Sequence, residues 1–198
     1  MRFLALGDSY TIGEGVPAGD RWPAQIAAML RAEGLAIDDP VIIARTGWTT
    51  AELDAAITLA DPPGTFDLVS LLAGVNDQYR GGPLEEYQTQ FGALLAGAVA
   101  LAGGMAHRVL VVSIPDWGVT PFASGRDRKA IGQGIDAFSA TARDAAATAG
   151  TAWVDVTGVS RSRAYRAALS ADGLHPSADQ YRAWAKLLLP HATRALGR

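Results

Sequence analysis

Five short apolar runs, separated by segments of helical periodicity, constrain the fold of this chain more than any other feature. Each run is almost continuously apolar, as expected for strands that are covered on both faces. They lie at residues 3–6, 41–44, 68–72, 109–114 and 152–156. The segments between and after them repeat apolar residues at intervals of three and four, which predicts a helix following each strand. This helical spacing occurs at residues 22–30, 53–60, 87–95, 131–138 and 181–188.

Regular alternation of strand and helix predicts an α/β protein with a parallel five-stranded sheet and helices on both faces. The chain has 198 residues, the length of one domain, so a single domain over residues 1–198 is expected. Right-handed crossovers bring the carboxyl ends of all strands to one edge, where ligands bind in such sheets. Residues directly after a strand are therefore candidates for a site: Ser9, Thr46, Gly47, Asn76 and Asp116.

Composition excludes several classes of function. The formal net charge is −3, the pI is near 5.5 and no basic stripe is present, so a nucleic-acid partner is not expected. The absence of cysteine excludes disulfides, thiolate zinc sites and a cysteine nucleophile. The longest apolar stretch, residues 94–105, is interrupted by glycine and is shorter than the ~20 residues of a membrane-spanning helix.

The N-terminal region offers only the four apolar residues Phe3–Leu6 before Gly7 and Asp8. A secretory signal peptide needs a longer apolar region and a small-residue cleavage site. A cytoplasmic location is therefore the default expectation, and a secreted mature form remains an open alternative.

A histidine near the C-terminus is the strongest candidate for a catalytic base. The chain has three histidines, of which His107 precedes a predicted strand and His191 lies in the last predicted helix. Only His175 is in a loop, and Asp172 comes three residues before it. A carboxylate there can accept a hydrogen bond from the ring Nδ1 and leave Nε2 free to take a proton. By itself, Asp172 in Ala171-Asp172-Gly173 favours the interpretation of an ordinary turn residue.

Three other candidates follow the first three strands. Ser9 can act as a nucleophile once a base takes its proton, although serine at that position is also typical of a helix N-cap. Gly47 can present a backbone N–H without side-chain obstruction, and Asn76 can donate from its amide to a developing negative charge. A turn glycine and a loop-capping asparagine are the ordinary alternatives for these two.

Four segments in order resemble the sequence blocks of the GDSL or SGNH hydrolases. They are Gly7-Asp8-Ser9-Tyr10, Gly47, Gly74-Val75-Asn76-Asp77 and Asp172-Gly173-Leu174-His175-Pro176. The resemblance covers residues 2–185 and implies a flavodoxin-like three-layer α/β/α sandwich. It implies Ser9 as nucleophile and oxyanion donor, and Gly47 and Asn76 as further donors. It implies His175 as the base and Asp172 as the acid that orients it. Tyr10 departs from the Leu or Ile of many members, a change expected to affect packing.

The resemblance implies a serine esterase that acts on a small acyl ester, with no cofactor and no metal ion. A carbohydrate O-deacetylase, a thioesterase or lysophospholipase, and an acyltransferase with the same triad remain alternatives, and a non-enzymatic flavodoxin-like binding module is a more distant one. A phosphate-binding module is disfavoured because the loop after the first strand lacks the lysine of a P-loop. Four aromatic residues are candidates for the wall of the substrate pocket: Trp48, Tyr79, Trp117 and Phe122.

Overall fold

The computed structural model describes residues 1–197, in which five parallel strands form one sheet between two layers of helices. The strands are β1 (Phe3–Gly7), β2 (Val41–Ala44), β3 (Leu68–Leu72), β4 (Val109–Val112) and β5 (Ala152–Val154). The helices are α1 (Ser9–Ile12), α2 (Trp22–Ala32), α3 (Thr50–Ala60), α4 (Val75–Tyr79), α5 (Leu84–Leu101), α6 (Arg128–Ala149), α7 (Thr157–Ser160), α8 (Arg163–Ala167) and α9 (Ala178–Ala195). Short 3-10 turns cover Ala18–Asp20, Ala106–Arg108, Trp117–Val119 and Pro121–Ala123.

The strand order is β2-β1-β3-β4-β5, and every pairing is parallel. The prediction of an α/β fold with a five-stranded parallel sheet and helices on both faces is therefore confirmed. The chain reverses its direction of travel between β1 and β3, which is the switch point where ligands bind in such sheets. Gly7 at the end of β1 is in register with Ala44 of β2 and Leu72 of β3. The segments that follow these three strands consequently leave the sheet side by side.

Helices cover both faces of the sheet because the strands have no polar face to present to water. Every residue of β1 and β3 is buried. Helices α2 and α9 pack together on one face, and α3, α5 and α6 pack on the other. Burial of each Val, Leu or Phe side chain contributes about 1.5–3 kcal/mol. The two layers are anchored by Trp22 and Trp184 on the first face and by Tyr87 on the second, all fully buried.

The five predicted helices are all present, and three extend well beyond the predicted cores. Helix α6 grows to 22 residues because Asp127 caps its first turn and its alanine-rich end favours helix up to Gly150. The fourth and fifth strands end two residues earlier than predicted. Beyond them, the Ser113 N–H makes a last backbone hydrogen bond to the Val154 carbonyl at 3.0 Å, and the Ser113 Oγ accepts hydrogen bonds from the backbone N–H groups of Val156 and Thr157.

The end of the predicted domain, residue 198, lies outside the described residues. Within the part of the chain that the structure does describe, no helix is both long enough and apolar enough to cross a bilayer.

Candidate active site

Ser9 lies directly after β1 and is the first residue of α1. The cap of this helix is Asp8, whose side chain accepts a hydrogen bond of 2.9 Å from the Tyr10 N–H. The capping role that the sequence left open for Ser9 is thus taken by its neighbour, and the Ser9 hydroxyl is not used for it. As a first-turn group, the Ser9 N–H has no carbonyl partner within the helix. The hydroxyl and the backbone N–H of Ser9 are therefore both available to a substrate at the switch point of the sheet.

His175 and Asp172 form a hydrogen-bonded pair. The ring Nδ1 lies 2.6 Å from the Asp172 Oδ2, and the other carboxylate oxygen accepts from the backbone N–H groups of Leu174 and His175 at 2.9 and 3.0 Å. Partial burial tends to raise the pKa of the Asp172 carboxyl, but these three hydrogen bonds outweigh it and hold that pKa below its usual value. An ionised carboxylate only accepts, so Nδ1 carries the proton and Nε2 of the neutral ring is an acceptor.

The loop that carries His175 is closed by its own hydrogen bonds. The Ser170 backbone N–H donates to the His175 carbonyl at 2.8 Å, and its hydroxyl donates to the Pro176 carbonyl, also at 2.8 Å. The Tyr10 ring packs against the imidazole with centroids 5.0 Å apart. His175 is consequently 5% exposed and held beside the residue that follows Ser9.

Ser9 and His175 line the same cavity, which has a volume of about 120 Å³. The lining residues are Ser9, Tyr10, Val75, Asn76, Tyr79, Trp117, Phe122, Leu174 and His175. The fold therefore brings together residues that are 166 positions apart in the chain (175 − 9). Within residues 1–197 no direct hydrogen bond joins the Ser9 hydroxyl to the imidazole, a contact that often tightens only when substrate binds.

The other two histidines are far from this cavity. His107 and His191 line a different cavity beside Thr151 and Ala152, at the start of β5. These residues lie at the amino ends of the strands, whereas Ser9 lies at the carboxyl ends. This placement agrees with the position of His107 just before β4, at the amino end of a parallel strand.

Asn76 and Gly47 stand on neighbouring loops that are joined to each other. Asn76 lies two residues after Gly74. Gly74 has a φ of 121° and lies so close to the Tyr87 ring that a side chain at this position would clash with it, so both features require glycine. One N–H of the Asn76 amide donates to the Trp48 carbonyl at 2.9 Å, which leaves its second N–H for a ligand. Gly47 has a φ of 87° and is not among the residues that line the cavity.

The Gly47 loop is held in place by the helix that carries Asn76. The Asp77 carboxylate accepts from both the backbone N–H and the hydroxyl of Thr50, at 3.1 and 2.5 Å. Arg80 donates to the Gly47 carbonyl at 2.6 Å and pairs with Glu52 at 3.3 Å. The Gly47 loop and the helix that carries Asn76 are therefore fixed to each other by hydrogen bonds, although only Asn76 lines the cavity.

A buried carboxyl group lies immediately before the serine. Burial raises the pKa of Asp8, the hydrogen bond from the Tyr10 N–H lowers it and the nearby Asp77 carboxylate raises it, so that the pKa is about 7. The Asp8 Oδ2 is buried without a hydrogen-bond partner. The Asp8 carboxyl, next to Ser9 in the chain, thus changes its charge with pH near neutrality.

Three aromatic side chains, Tyr79, Trp117 and Phe122, form one wall of the cavity and are called the aromatic rim below. Tyr79 and Trp117 meet edge to face with centroids 5.2 Å apart, and Phe122 is 6.1 Å from each. Three of the four aromatic residues predicted from the sequence therefore line the cavity. The fourth, Trp48, contributes its backbone carbonyl to Asn76 instead.

The Trp117 segment is fixed by Asp116, the fourth polar residue that follows a strand. Its carboxylate accepts from the Gly118 N–H and forms an ion pair of 2.8 Å with Arg161. The indole N–H of Trp117 donates to Gln78 at 2.8 Å. Asp116 thus shapes the wall of the cavity and does not line it, although its position after a strand made it a candidate for the site.

One residue near the cavity escaped the sequence analysis altogether. The Arg126 guanidinium stands over the aromatic rim, 5.1, 5.4 and 5.7 Å from the centroids of Tyr79, Trp117 and Phe122. No motif surrounds Arg126 in the sequence, and only folding brings it over these rings.

Metal ligands are not clustered at this site. Nowhere in residues 1–197 do three or more His, Asp or Glu side chains lie close enough together to hold a metal ion.

Comparison with protein families gave a match over most of the chain. A model described as the GDSL-like lipase/acylhydrolase family matches residues 5–183. No curated protein sequence matched the chain.

Comparison with solved structures found the same fold in several proteins. The crystal structure of TesA is 24% identical, with a TM-score of 0.72, and the match covers 99% of this chain and 100% of that one. The lipase/acylhydrolase from Enterococcus faecalis is 20% identical, with a TM-score of 0.73 and coverage of 98% and 97%. The acetylxylan esterase Axe2 from Geobacillus stearothermophilus is 22% identical, with a TM-score of 0.69 and coverage of 100% and 94%. At such identities the likeness establishes a shared fold alone.

Proposed function

Because the chain belongs to the GDSL-like lipase/acylhydrolase family, we propose that it hydrolyses short-chain carboxylic esters through an acyl-enzyme on Ser9. The proposal takes residues 1–198 as one hydrolase domain that needs neither metal nor organic cofactor. The observation that carries it is the cavity shared by Ser9 and His175, with Asp172 bound to the far side of the imidazole.

The proposed first step is acylation. His175 Nε2 takes the hydroxyl proton of Ser9 while Ser9 Oγ attacks the ester carbonyl. Asp172 keeps the imidazole in the tautomer that can accept this proton and stabilises the imidazolium that forms. Collapse of the tetrahedral intermediate breaks the ester bond, and His175 returns the proton to the departing alcohol. Water then repeats the sequence on the acyl-enzyme, releasing a carboxylic acid and free Ser9.

The negative charge of the tetrahedral intermediate needs donors that are already in place. We assign this role to the Ser9 N–H, the Gly47 N–H and the free N–H of the Asn76 amide. The assignment of Gly47 is supported by the hydrogen bonds that tie its loop to the helix of Asn76.

The size of the cavity supports a short acyl group. Its volume of about 120 Å³ is small beside the ~300–1,000 Å³ of clefts that enclose drug-sized ligands. An acetyl or similarly short chain fits such a space, whereas a long fatty chain has to extend outside it.

A carbohydrate O-deacetylase is the second candidate. It is favoured by the aromatic rim, in which Tyr79 and Phe122 are each 41% exposed and can stack on a sugar ring. An acetylxylan esterase is among the proteins of similar structure. The same triad chemistry would then remove an acetyl group from a sugar hydroxyl.

The decisive test is the identity of the nucleophile. The Ser9→Ala protein should lose nearly all hydrolysis of p-nitrophenyl acetate, and a fluorophosphonate probe should label the wild-type chain at Ser9, as mapped by mass spectrometry. Ser70→Ala is a matched control, because Ser70 is buried in β3, does not line the cavity and has a hydroxyl without a hydrogen-bond partner in residues 1–197. Undiminished turnover by Ser9→Ala would refute the proposal.

Substrate class is then resolved by comparing turnover across compounds. A chain-length series of p-nitrophenyl esters should peak at two to four carbons if the cavity holds the acyl group. Acetylated xylo-oligosaccharides, acyl-CoA and lysophospholipid, assayed side by side, separate the deacetylase from the thioesterase and lysophospholipase alternatives. Transfer of the acyl group to an added alcohol identifies an acyltransferase.

A further inference from the structure

Arg126 is an arginine without an acidic partner at the mouth of the cavity. The ion pairs within residues 1–197 involve Arg31, Arg80, Arg108, Arg143, Arg161 and His175, and none involves Arg126. The contrast with Arg161 is direct, since that guanidinium pairs with Asp116 at 2.8 Å and Asp136 at 2.7 Å. The charge of Arg161 is therefore neutralised, whereas that of Arg126 has no acidic partner among residues 1–197.

The Arg126 guanidinium contacts the aromatic rim and keeps most of its hydrogen-bond donors free. Its Cζ lies within cation–π distance of all three ring centroids. Among residues 1–197 its only side-chain hydrogen bond runs from Nη2 to the Tyr79 hydroxyl at 3.2 Å. A guanidinium has five N–H donors, so the group still offers donors to a ligand. Contact with the rings restricts the side chain and thereby lowers the entropy lost when a ligand binds.

The surrounding charges favour an anion. Arg128 and Lys129 follow within three residues, and the intervening Asp127 carboxylate is occupied by the backbone N–H groups of Lys129 and Ala130. This segment is positive although the chain as a whole carries a net charge of −3. A planar guanidinium matches a carboxylate or a phosphate through two parallel hydrogen bonds.

The position of Arg126 indicates which part of the substrate it meets. Under the proposed function a short acyl group occupies the small cavity beside Ser9, so that the alcohol part of the ester extends outward past the aromatic rim. Arg126 is exposed on the outer side of that rim. We propose that Arg126 binds a carboxylate or phosphate on the alcohol part of the substrate, so that the preferred esters have an anionic leaving group.

This inference rests on the proposed esterase function, and a matched pair of esters tests the two separately. The carboxylate ester 4-acetoxybenzoate and its uncharged analogue 4-acetoxybenzamide have nearly the same shape. The readout is the ratio of their kcat/KM values, and the difference in their intrinsic reactivity cancels when the ratio is compared between variants. Loss of a bidentate contact at an exposed site should lower this ratio about five- to tenfold in Arg126→Gln.

Further variants separate charge from packing. Arg126→Lys keeps the charge without the planar fork and should retain part of the preference, whereas Arg126→Glu should lower the ratio below that of Arg126→Gln. Lys129→Gln removes one nearby charge and should lower the ratio much less than Arg126→Gln does. Inhibition by the product 4-hydroxybenzoate should weaken in Arg126→Gln by a similar factor.

The outcomes are distinct. If the wild type hydrolyses both esters and the ratio is the same in Arg126→Gln, Arg126 serves only to cover the rings and the inference is overturned. An equal fall of the ratio in Lys129→Gln overturns it too, because the effect would then be one of overall charge. If the wild type hydrolyses neither ester, or Ser9→Ala hydrolyses both, it is the esterase function that fails.

Discussion

The two walls of the cavity are built in different ways. On one side, His175 is 5% exposed and is held by hydrogen bonds to residues within five positions of it in the chain. On the other side, the aromatic rim and Arg126 come from segments up to 47 positions apart, and they are held by edge-to-face and cation–π contacts and by the hydrogen bond from the Trp117 indole to Gln78. The sides meet where the Phe122 N–H donates to the Gly173 carbonyl at 3.2 Å.

This difference separates reaction chemistry from recognition. Proton transfer needs an atomic position fixed to a fraction of an ångström, which short hydrogen bonds within one loop supply. Recognition of a variable alcohol tolerates a half-exposed surface that packs on its neighbours. Substitutions on the buried side should therefore change turnover strongly, and those on the rim should change substrate preference moderately.

The largest effect on turnover is expected when Asp172, the carboxylate paired with His175, is replaced. Asp172→Asn should lower kcat by up to about 10⁴-fold, because an amide can donate to Nδ1 and favour the wrong imidazole tautomer. Since the pKa of Asp172 is held below its usual value, the wild-type carboxylate stays charged through mildly acidic pH, and a loss of activity in that range is not due to Asp172. Rates from pH 4 to 8 check this, with Asp179→Asn as control. Equal wild-type activity at pH 4 and pH 8 contradicts a histidine base.

Removal of an oxyanion donor should come next. Asn76→Ala is expected to lower kcat by ~10²–10³-fold while KM changes little, because the amide acts on charge that exists only in the transition state. Steady-state kinetics on p-nitrophenyl acetate measure both parameters. A rise in KM with an unchanged kcat would instead assign Asn76 to ordinary substrate binding.

The buried Asp8 carboxyl should make the free energy of unfolding depend on pH. The folded pKa of Asp8, about 7, exceeds the usual 3.8, so its contribution is fully present below pH 4 and is lost as pH rises to 7. Asp8→Asn does not titrate, so the free energy of unfolding of the wild type should fall relative to this variant by up to about 4 kcal/mol, at ~1.4 kcal/mol for each unit of the pKa shift. Urea unfolding at pH 4 and pH 7.5 provides the measurement. Parallel changes in both proteins would mean that Asp8 is not the titrating group.

The smallest effect is expected on the rim. Phe122→Ala removes a ring that is 41% exposed, so KM for aromatic esters should rise a few-fold with kcat nearly unchanged. Leu187→Ala, an equally exposed apolar side chain on α9, controls for general loss of apolar surface. If Phe122→Ala lowers kcat as strongly as Asn76→Ala does, the distinction between the two walls is wrong.

Most of the fold followed from local patterns. Continuous apolar runs and helical periodicity identified all five strands and the five long helices, because burial on both faces leaves a signal that a short window can read. The short helices α1, α4, α7 and α8 were missed, since four or five residues carry no measurable period. Strands β4 and β5 were predicted too long because the apolar residues after them are buried outside the ladder.

The candidate site also has features that the sequence determined and features that depend on the tertiary structure. The sequence by itself determined which residues can supply a nucleophile, a base and an orienting acid, because Ser9, Asp172 and His175 occur in short segments with readable chemistry. Only the tertiary structure decided that Asp8 and not Ser9 caps α1, that Gly47 stands back from the cavity, and that Arg126 covers the aromatic rim. These outcomes depend on contacts between residues far apart in the chain, and a one-dimensional pattern holds no record of which distant side chains meet.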